Sequence, residues 1–326
     1  MDTSLELLGA TASAHGCTIA AWSEHALFLS WDGGQSFAQL AMTGAFQVAV
    51  GAARAVIVRD RRELAVVRPG DRDLRWSVLP GIARRDAEGD APADPDHMVA
   101  RELVASGRWT VVTAGKLIMA SDDDGASWRY LPLPAERFQL TTLDDEGRLA
   151  AIAIAPLHPR PTDDVSGAPE ELETRRYELQ VAGGTWRTLP ALRGPLAAAT
   201  RSWSYVHDSD EFWGCGGSTK IVAVRGGRQH VLAGNLRDEI YHVSLAANAE
   251  VAFAGFGENL HRLVGAREET VAAIPADDLR LAAVDAGGLP LALARSRLVR
   301  WSPRGGWRRL LPAIGADLGA PSSPNQ

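Results

Sequence analysis

Residues 214–220 have the glycine-rich composition of a loop that could bind phosphate. A phosphate loop presents Gly-Lys followed by Ser or Thr ahead of a helix, so that backbone amides and the lysine cradle the phosphate groups. In this chain Thr219 precedes Lys220, and the apolar residues after Lys220 are typical of a strand. The sequence therefore predicts a turn here, not a nucleotide site.

A second segment combines side chains that can bind a metal ion, namely His207, Asp208 and Asp210. Their close spacing in a short polar stretch is more typical of a hairpin turn. The chain has eight histidines, and the others show no spacing typical of metal ligands. We therefore expect no metal site and no cofactor.

A polar turn of constant spacing occurs twice, each time after an apolar strand. The copies are Ser30-x-Asp32-x-Gly34-x-Ser36-Phe37 and Ser121-x-Asp123-x-Gly125-x-Ser127-Trp128. Asp and Ser side chains bond local backbone amides, and glycine supplies the positive φ of a tight turn. The closing aromatic residue is expected to pack between neighbouring sheets. Both aspartates are therefore predicted to be structural, not catalytic.

These turns resemble the Asp-box, or bacterial neuraminidase repeat, of sialidase-like β-propellers. An aromatic residue followed by Leu-Pro, or a weaker variant of it, marks sites about 40 residues apart, the spacing of four-stranded blades. The sites begin at Phe37, Trp76, Trp128, Trp186, His230, Thr270 and Trp307. The sequence therefore predicts an all-β fold, a seven-bladed β-propeller of four-stranded antiparallel blades. Residues 1–312 would form this single domain, and residues 313–326 a flexible tail.

The candidate ligand site lies on the innermost predicted strand of each blade. Polar and aromatic residues there should converge at one mouth of the central channel, and convergent polar groups are typical of ligand pockets. The predicted site consists of Gln47, Arg101, Gln139, Trp203, Tyr205, Tyr241, His242 and Arg280. Ordinary packing between blades is the alternative for at least half of these residues.

Two long polar segments, residues 81–98 and 156–176, interrupt the repeat and are rich in acidic residues. Connections between blades emerge on the same face of a propeller as connections between second and third strands, so both segments should decorate one rim. The Asp turns join third and fourth strands and should lie on the opposite face. We predict that the loop-decorated rim binds a protein partner; the alternative is that the segments are solvated excursions.

The resemblance also suggests glycan hydrolysis as a candidate activity. Sialidases use an arginine triad, an acidic proton donor and a tyrosine nucleophile assisted by glutamate. This chain lacks the Arg-Ile-Pro-type motif of that family. Tyr205 and Tyr241 fall near the predicted axis, with Glu211 and Glu239 as candidate neighbours, but no matching acid or triad can be assigned. We predict a non-catalytic scaffold; a carbohydrate-binding or glycan-hydrolysing propeller is the alternative.

The net charge of the chain argues against some classes of binding partner. The formal net charge of −6 argues against nonspecific nucleic-acid binding. The sequence starts without the basic and apolar segments of a secretory signal and contains no membrane-spanning run, so a cytoplasmic protein without membrane insertion is expected.

Cys17 and Cys215 are expected to be buried thiols. A basic patch in the last unit supports a third interpretation, a structural subunit held through Arg295, Arg297, Arg300, Arg304, Arg308 and Arg309.

Overall fold

The computed structural model describes residues 7–44, 46–71, 73–80, 100–114, 117–135, 138–156, 172–193, 202–207, 211–215, 221–225, 228–232, 242–245, 251–256, 259–264, 267–271, 279–294 and 297–311. These residues form seven four-stranded antiparallel sheets, and in each sheet the strands are hydrogen-bonded in chain order. The chain is therefore all-β and has the four-stranded antiparallel blades of a propeller.

The first three sheets contain these strands. Sheet 1 has β1 (Leu7–Ala12), β2 (Ile19–Ser23), β3 (Ala26–Ser30) and β4 (Ala38–Ala41). Sheet 2 has β5 (Phe46–Gly51), β6 (Arg54–Arg59), β7 (Glu63–Val67) and β8 (Ser77–Val78). Sheet 3 has β9 (Ala100–Ser106), β10 (Trp109–Ala114), β11 (Leu117–Ser121) and β12 (Arg129–Leu131).

The remaining sheets follow the same order. Sheet 4 has β13 (Gln139–Leu143), β14 (Arg148–Pro156), β15 (Leu172–Gln180) and β16 (Arg187–Arg193). Sheet 5 has β17 (Ser202–Val206), β18 (Glu211–Cys215), β19 (Ile221–Arg225) and β20 (Arg228–Leu232). Sheet 6 has β21 (His242–Leu245), β22 (Val251–Phe256), β23 (Asn259–Val264) and β24 (Arg267–Val271). Sheet 7 has β25 (Leu279–Val284), β26 (Pro290–Ala294), β27 (Arg297–Ser302) and β28 (Gly306–Arg309).

Successive sheets pack face to face, which explains why the middle strands are apolar on both sides. All six residues of β10 and all five of β3 are buried, and both strands are nearly continuous runs of apolar or small residues. The outer strands β4 and β12 are short and largely exposed, since only one edge of each is paired. Short edge strands limit unwanted pairing with other chains.

The aromatic residues that mark the repeat lie between sheets. Trp76 packs on the core shared by sheets 1 and 2, Trp128 on the core of sheets 2 and 3, and Trp186 on that of sheets 3 and 4. Phe37 packs on the core between sheets 7 and 1, so the last sheet meets the first. Each of these aromatic side chains is thus shared by its own sheet and the preceding one.

Strand direction defines two faces of the propeller. Antiparallel strands alternate in direction, so the first-to-second and third-to-fourth connections of each sheet share one face, here called the hairpin face. The second-to-third connections and the sheet-to-sheet connections share the other, here called the insert face.

The two predicted turns, at Asp32 and Asp123, lie on the hairpin face and have the same bonding. Ser30 Oγ donates a hydrogen bond to Asp32 Oδ1 (2.7 Å), and Ser36 Oγ donates one to Asp32 Oδ2 (2.5 Å). The Gly34 amide donates to Ser30 Oγ (2.7 Å). The second turn repeats these three bonds with Ser121, Asp123, Gly125 and Ser127.

Glycine and aspartate have defined roles in these turns. Gly34 and Gly125 both have a φ of +84°, a conformation that side chains with a Cβ rarely adopt. Hydrogen bonds from the Ser36 side chain and amide hold the pKa of Asp32 far below its ordinary value. The corresponding bonds from Ser127 lower the pKa of Asp123 to about 2. The bonding therefore closes the turn on an ionised carboxylate.

The structure corrects two expectations about local structure. Residues 156–176 were expected to interrupt the repeat as a polar segment, but β14 extends to Pro156 and β15 already begins at Leu172, so only residues 157–171 of this segment remain outside the described chain. Cys17 is exposed and lies in the turn after β1, whereas a buried strand position was expected. Residues 81–99 and the predicted tail also lie outside the described residues. In the part that is described, no helix has the length and apolarity needed to cross a membrane.

Candidate functional site

A cavity of about 560 Å³ lies at one end of the central channel. Its wall is built from the last residues of the first strand of every sheet, and these residues include Thr11, Val50, Ser106, Leu143, Val206, Leu245 and Val284. Residues that directly follow these strands, among them His15, Asp144 and His207, complete the lining. Because first strands end at the hairpin face, the cavity is the mouth of the channel on that face. Its volume is within the range of about 300–1,000 Å³ that is usual for ligand pockets.

The mouth carries a polar hairpin between β13 and β14. Asp144 Oδ1 accepts hydrogen bonds from the amides of Glu146 (3.0 Å) and Arg148 (2.8 Å), and Asp144 Oδ2 accepts one from Arg148 Nε (2.5 Å). An aspartate in this position closes the turn in the way that Asx turns do. The neighbouring Asp145 and Glu146 are exposed, so the hairpin presents two further carboxylates at the mouth.

Hydrogen bonds join the hairpins of neighbouring sheets around this mouth. Thr18 Oγ1 donates to the Ala52 carbonyl (2.8 Å) between sheets 1 and 2. Ser106 Oγ donates to Asp145 Oδ1 (2.5 Å) between sheets 3 and 4. Gly16 lies so close to Ala52 that a Cβ there would be 2.5 Å from the Ala52 Cα, so only glycine fits. The hairpins of sheets 1 and 2, and those of sheets 3 and 4, are thus held against each other.

One side of the cavity wall contains a buried polar cluster. His207 Nδ1 lies 3.0 Å from Glu178 Oε2, Tyr205 Oη lies 3.3 Å from the same oxygen, and Arg187 donates to Glu178 Oε1 (2.7 Å). The Tyr205 and His207 rings also meet edge to face, with centroids 4.8 Å apart. The cluster connects sheet 4, which supplies Glu178 and Arg187, to sheet 5.

The charge of Glu178 fixes the tautomer of the imidazole. Burial raises the pKa of Glu178, but the hydrogen bonds and charges of His207 and Arg187 outweigh burial and hold that pKa below its ordinary value. An ionised carboxylate only accepts hydrogen bonds, so Nδ1 of His207 must carry the proton.

Nε2 of His207 has no hydrogen-bond partner among the described residues, although the His207 side chain is only 3% exposed. Thr141 Oγ1, also from a residue of the cavity lining, is likewise buried without a partner in the described chain. Buried polar groups are normally hydrogen-bonded, so both atoms are exceptions in the described chain, and both are covered by protein and not exposed in the cavity.

Of the predicted site residues, Tyr205 lines this cavity and is 6% exposed. The others in the described chain stand at the beginnings of their strands, at the insert-face end of the channel; these are Gln47, Arg101, Gln139, Trp203, His242 and Arg280. Gln139 and Arg280 are exposed, and Gln47 is half-buried. Tyr241 lies outside the described residues. A ligand site formed by these residues stays a prediction.

Apart from Tyr205, sequence reasoning did not identify the polar residues of the cavity. His207 was considered only as a metal ligand, and within the described residues no group of three or more His, Cys, Asp or Glu side chains is placed to hold a metal. Glu178 lies 3.3 Å from Tyr205 and was not among the expected neighbours, Glu211 and Glu239. Glu239 lies outside the described residues, and the expectation about both residues stays a prediction. One signal was present: Asp144 and Asp285 both begin hairpins that end in glycine, at Gly147 and Gly288, and both accept local amide hydrogen bonds.

Comparison with known proteins supports the fold. No family model and no curated protein matches the chain. One similar solved structure is described as YCF48 bound to D1 peptide, with a TM-score of 0.57 and 14% identity, covering 92% of this chain and 94% of that chain. Another is the complex of KlAtg21 with the coiled-coil of AgAtg16, with a TM-score of 0.60 and 11% identity, covering 94% of this chain and 98% of that chain. At these identities the likeness shows the β-propeller fold.

Proposed function

We propose that this chain is a seven-bladed β-propeller that acts without catalysis as a scaffold and binds a segment of a protein partner at the hairpin face. The observation that carries this proposal is the cavity, because one segment of every sheet lines it. A cavity lined by a segment of every sheet supports an arrangement of the sheets in one ring. The packing of sheet 7 against sheet 1 supports the same arrangement.

The hairpin face suits a protein partner. The mouth is wide enough for side chains, its hairpins are held by hydrogen bonds between sheets, and a rigid surface loses little conformational entropy on binding. Two proteins of similar fold are described in complexes with a peptide and with a coiled coil. That likeness is an analogy of fold, and function depends on the site itself.

The hydrogen bonding of the two Asp-box-like turns supports a structural role for their aspartates. All the carboxylate oxygens of Asp32 and Asp123 take part in hydrogen bonds within their own turns. We therefore assign both aspartates to turn closure.

The competing location for partner binding is the loop-decorated rim. It stays a candidate because residues 81–99 and 157–171, which belong to its two polar segments, lie outside the described chain.

A direct test is selection of random dodecapeptides displayed on phage against the purified protein. We expect peptides that bind the parent and are lost when the cavity is filled by Thr142→Trp. Thr142 lines the cavity and is half-buried, so an indole there would occupy the mouth. Selected peptides that bind both proteins equally would place the partner elsewhere, and the absence of any binder would contradict the scaffold proposal.

Glycan hydrolysis is the second candidate, and one observation favours it. Tyr205 lies against Glu178 in the cavity wall, and a tyrosine assisted by a glutamate is what the sialidase resemblance would require. The test is release of 4-methylumbelliferone from a sialoside by the purified protein. Hydrolysis that Tyr205→Phe abolishes would replace the scaffold proposal; no hydrolysis is the expected result.

A further inference from the structure

Sheet 7 carries an excess of positive charge in a chain that is negative overall. Its described residues, 279–294 and 297–311, contain six arginines and a single acidic residue, Asp285, whereas the whole chain has a formal net charge of −6. Asp285 is already paired with Arg300 at 3.2 Å. The arginines of this sheet that form no salt bridge with another described residue are Arg280, Arg297, Arg304, Arg308 and Arg309.

Two of these arginines, Arg304 and Arg308, are exposed at the outer edge of the sheet. Arg304 belongs to the turn between β27 and β28, on the hairpin face, and Arg308 lies in β28, the outermost strand. In the strand pairing, Arg308 stands directly opposite Arg300, a position in which like charges repel each other. Asp285 compensates the charge of Arg300, but Arg304 and Arg308 have no such partner in the described chain.

The neighbouring turn of sheet 1 does not supply the missing negative charge. Arg300 donates to the Gly33 carbonyl of that turn (2.9 Å), so sheet 7 contacts the turn through this arginine. Both carboxylate oxygens of Asp32 accept hydrogen bonds from serine hydroxyls of their own turn. An anion that neutralises the two exposed arginines would therefore come from outside the described chain.

We propose that the outer edge of sheet 7, at Arg304 and Arg308, is a second docking surface and that it binds a segment of a protein partner rich in aspartate and glutamate. The inference goes beyond the proposed function, because neither arginine lines the cavity. Guanidinium groups pair with carboxylates through two parallel hydrogen bonds, which neutral side chains cannot replace. A nucleic acid or an anionic membrane would extend beyond this one sheet and meet the negative charge of the rest of the chain.

The experiment measures binding of a fluorescein-labelled peptide of alternating glutamate and serine by fluorescence anisotropy at physiological ionic strength. The reference is the same peptide with glutamine in place of glutamate. We expect the parent to bind the glutamate peptide, and Arg304→Gln/Arg308→Gln to weaken this binding at least fivefold. The melting temperature of the variant should be unchanged, because both side chains are exposed. Equal binding of the two peptides, or binding of neither, would overturn the inference.

The matched control removes the same charge from another sheet. Arg61 and Arg62 are exposed in the turn between β6 and β7 of sheet 2, so Arg61→Gln/Arg62→Gln should bind the glutamate peptide within twofold of the parent. If this control weakens binding as much as the sheet 7 variant does, the attraction is a property of net charge, and the docking surface is contradicted.

Two further measurements separate this surface from the cavity and from other anions. Thr142→Trp, which fills the cavity, should bind the glutamate peptide as the parent does, so failure of the proposed function would leave this inference standing. Loss of that binding in Thr142→Trp would overturn the second surface. Single-stranded DNA, or vesicles of phosphatidylserine and phosphatidylcholine, should not displace the peptide; displacement that requires Arg304 and Arg308 would replace the protein partner by a nucleic acid or a membrane.

Discussion

Arg54 donates a hydrogen bond to Asp124 at 2.9 Å across the boundary between sheets 2 and 3. Its guanidinium also donates to the Trp109 carbonyl (2.5 Å), and the side chain is only 4% exposed. Asp124 lies inside the Asp123 turn and has a φ of +60°. The preceding sheet therefore holds this turn in place.

The turn at Asp32 is held in the same manner by sheet 7. Arg300 donates to the Gly33 carbonyl (2.9 Å), and it also contacts Asp285 (3.2 Å). In both turns a leucine from the preceding sheet or directly after it fills the space that a Cβ on the glycine would need: Leu310 lies 2.9 Å from that position at Gly34, and Leu64 lies 2.9 Å from it at Gly125. These turns therefore connect sheets, in addition to connecting two strands of one sheet.

The first prediction concerns this arginine. Arg54→Met keeps the apolar stem but removes the guanidinium, which leaves the Trp109 carbonyl without this donor and Asp124 with Arg68 as its remaining cation. We expect a loss of about 2–3 kcal/mol in the free energy of unfolding, below the full cost of breaking a buried pair because Asp124 is partly exposed. Urea denaturation measures this loss.

Arg68 provides the matched control, because its Nη2 also contacts Asp124 (2.5 Å) while half of its side chain is exposed. Arg68→Met should cost less than about 1 kcal/mol, as is usual for surface pairs. Equal costs for the two variants would contradict the proposed connection between sheets.

The second prediction concerns pH. The pKa of Asp123 is about 2 in the folded protein, below the ordinary aspartate value of 3.8. A lowered folded pKa means that the unfolded chain binds more protons in this window, so the stabilisation is complete above about pH 4 and decreases as the pH falls toward 2. Carboxyl carbon chemical shifts in NMR spectra should show Asp123 still ionised at pH 3.

Ser127→Ala removes the largest cause of that shift, the hydrogen bond from the Ser127 hydroxyl. In this variant the midpoint of the Asp123 titration should move upward, toward the ordinary value. A midpoint that is the same in both proteins would show that the turn does not hold the carboxylate as described.

The sequence predicted the features that depend on local interactions. The spacing of Asp32 and Asp123 relative to serine and glycine was sufficient to predict the turns, because the hydrogen bonds of each turn are made within a few residues. Alternation of apolar strands and turn signals was sufficient for four-stranded sheets.

The start of β15 could not be predicted from the sequence in the same way. Residues Glu173, Arg175 and Arg176 are charged and resemble a solvated loop, yet Arg176 is buried and donates to the Pro190 carbonyl (2.9 Å) in the paired strand region. The cavity was missed for a related reason. The packing of all the sheets decides which end of each first strand borders the cavity. In addition, Glu178 contacts Tyr205 from another sheet.

The third prediction tests the packing between sheets. Trp128 is half-buried against sheets 2 and 3, and its Nε1 donates to the Gly125 carbonyl (3.0 Å). We expect Trp128→Ala to cost about 3 kcal/mol, at the lower end for large aromatic truncations because the ring is partly exposed. Tyr130→Ala, two residues away with a side chain that is mostly exposed, should cost less than about 1 kcal/mol. Similar melting temperatures for the two variants would contradict the placement of Trp128.

The central claim is that a partner segment enters the channel at the hairpin face, and the affinity of a selected peptide for three proteins tests it most directly. The proteins are the parent, Thr142→Trp, and a variant that lacks residues 84–96; Glu146→Arg replaces Thr142→Trp if the latter does not fold. Calorimetric titration should show at least a tenfold loss of affinity for the cavity variant and an unchanged affinity for the deletion. The reverse result, with binding lost on deletion and retained when the cavity is filled, would contradict the claim and place the partner on the loop-decorated rim.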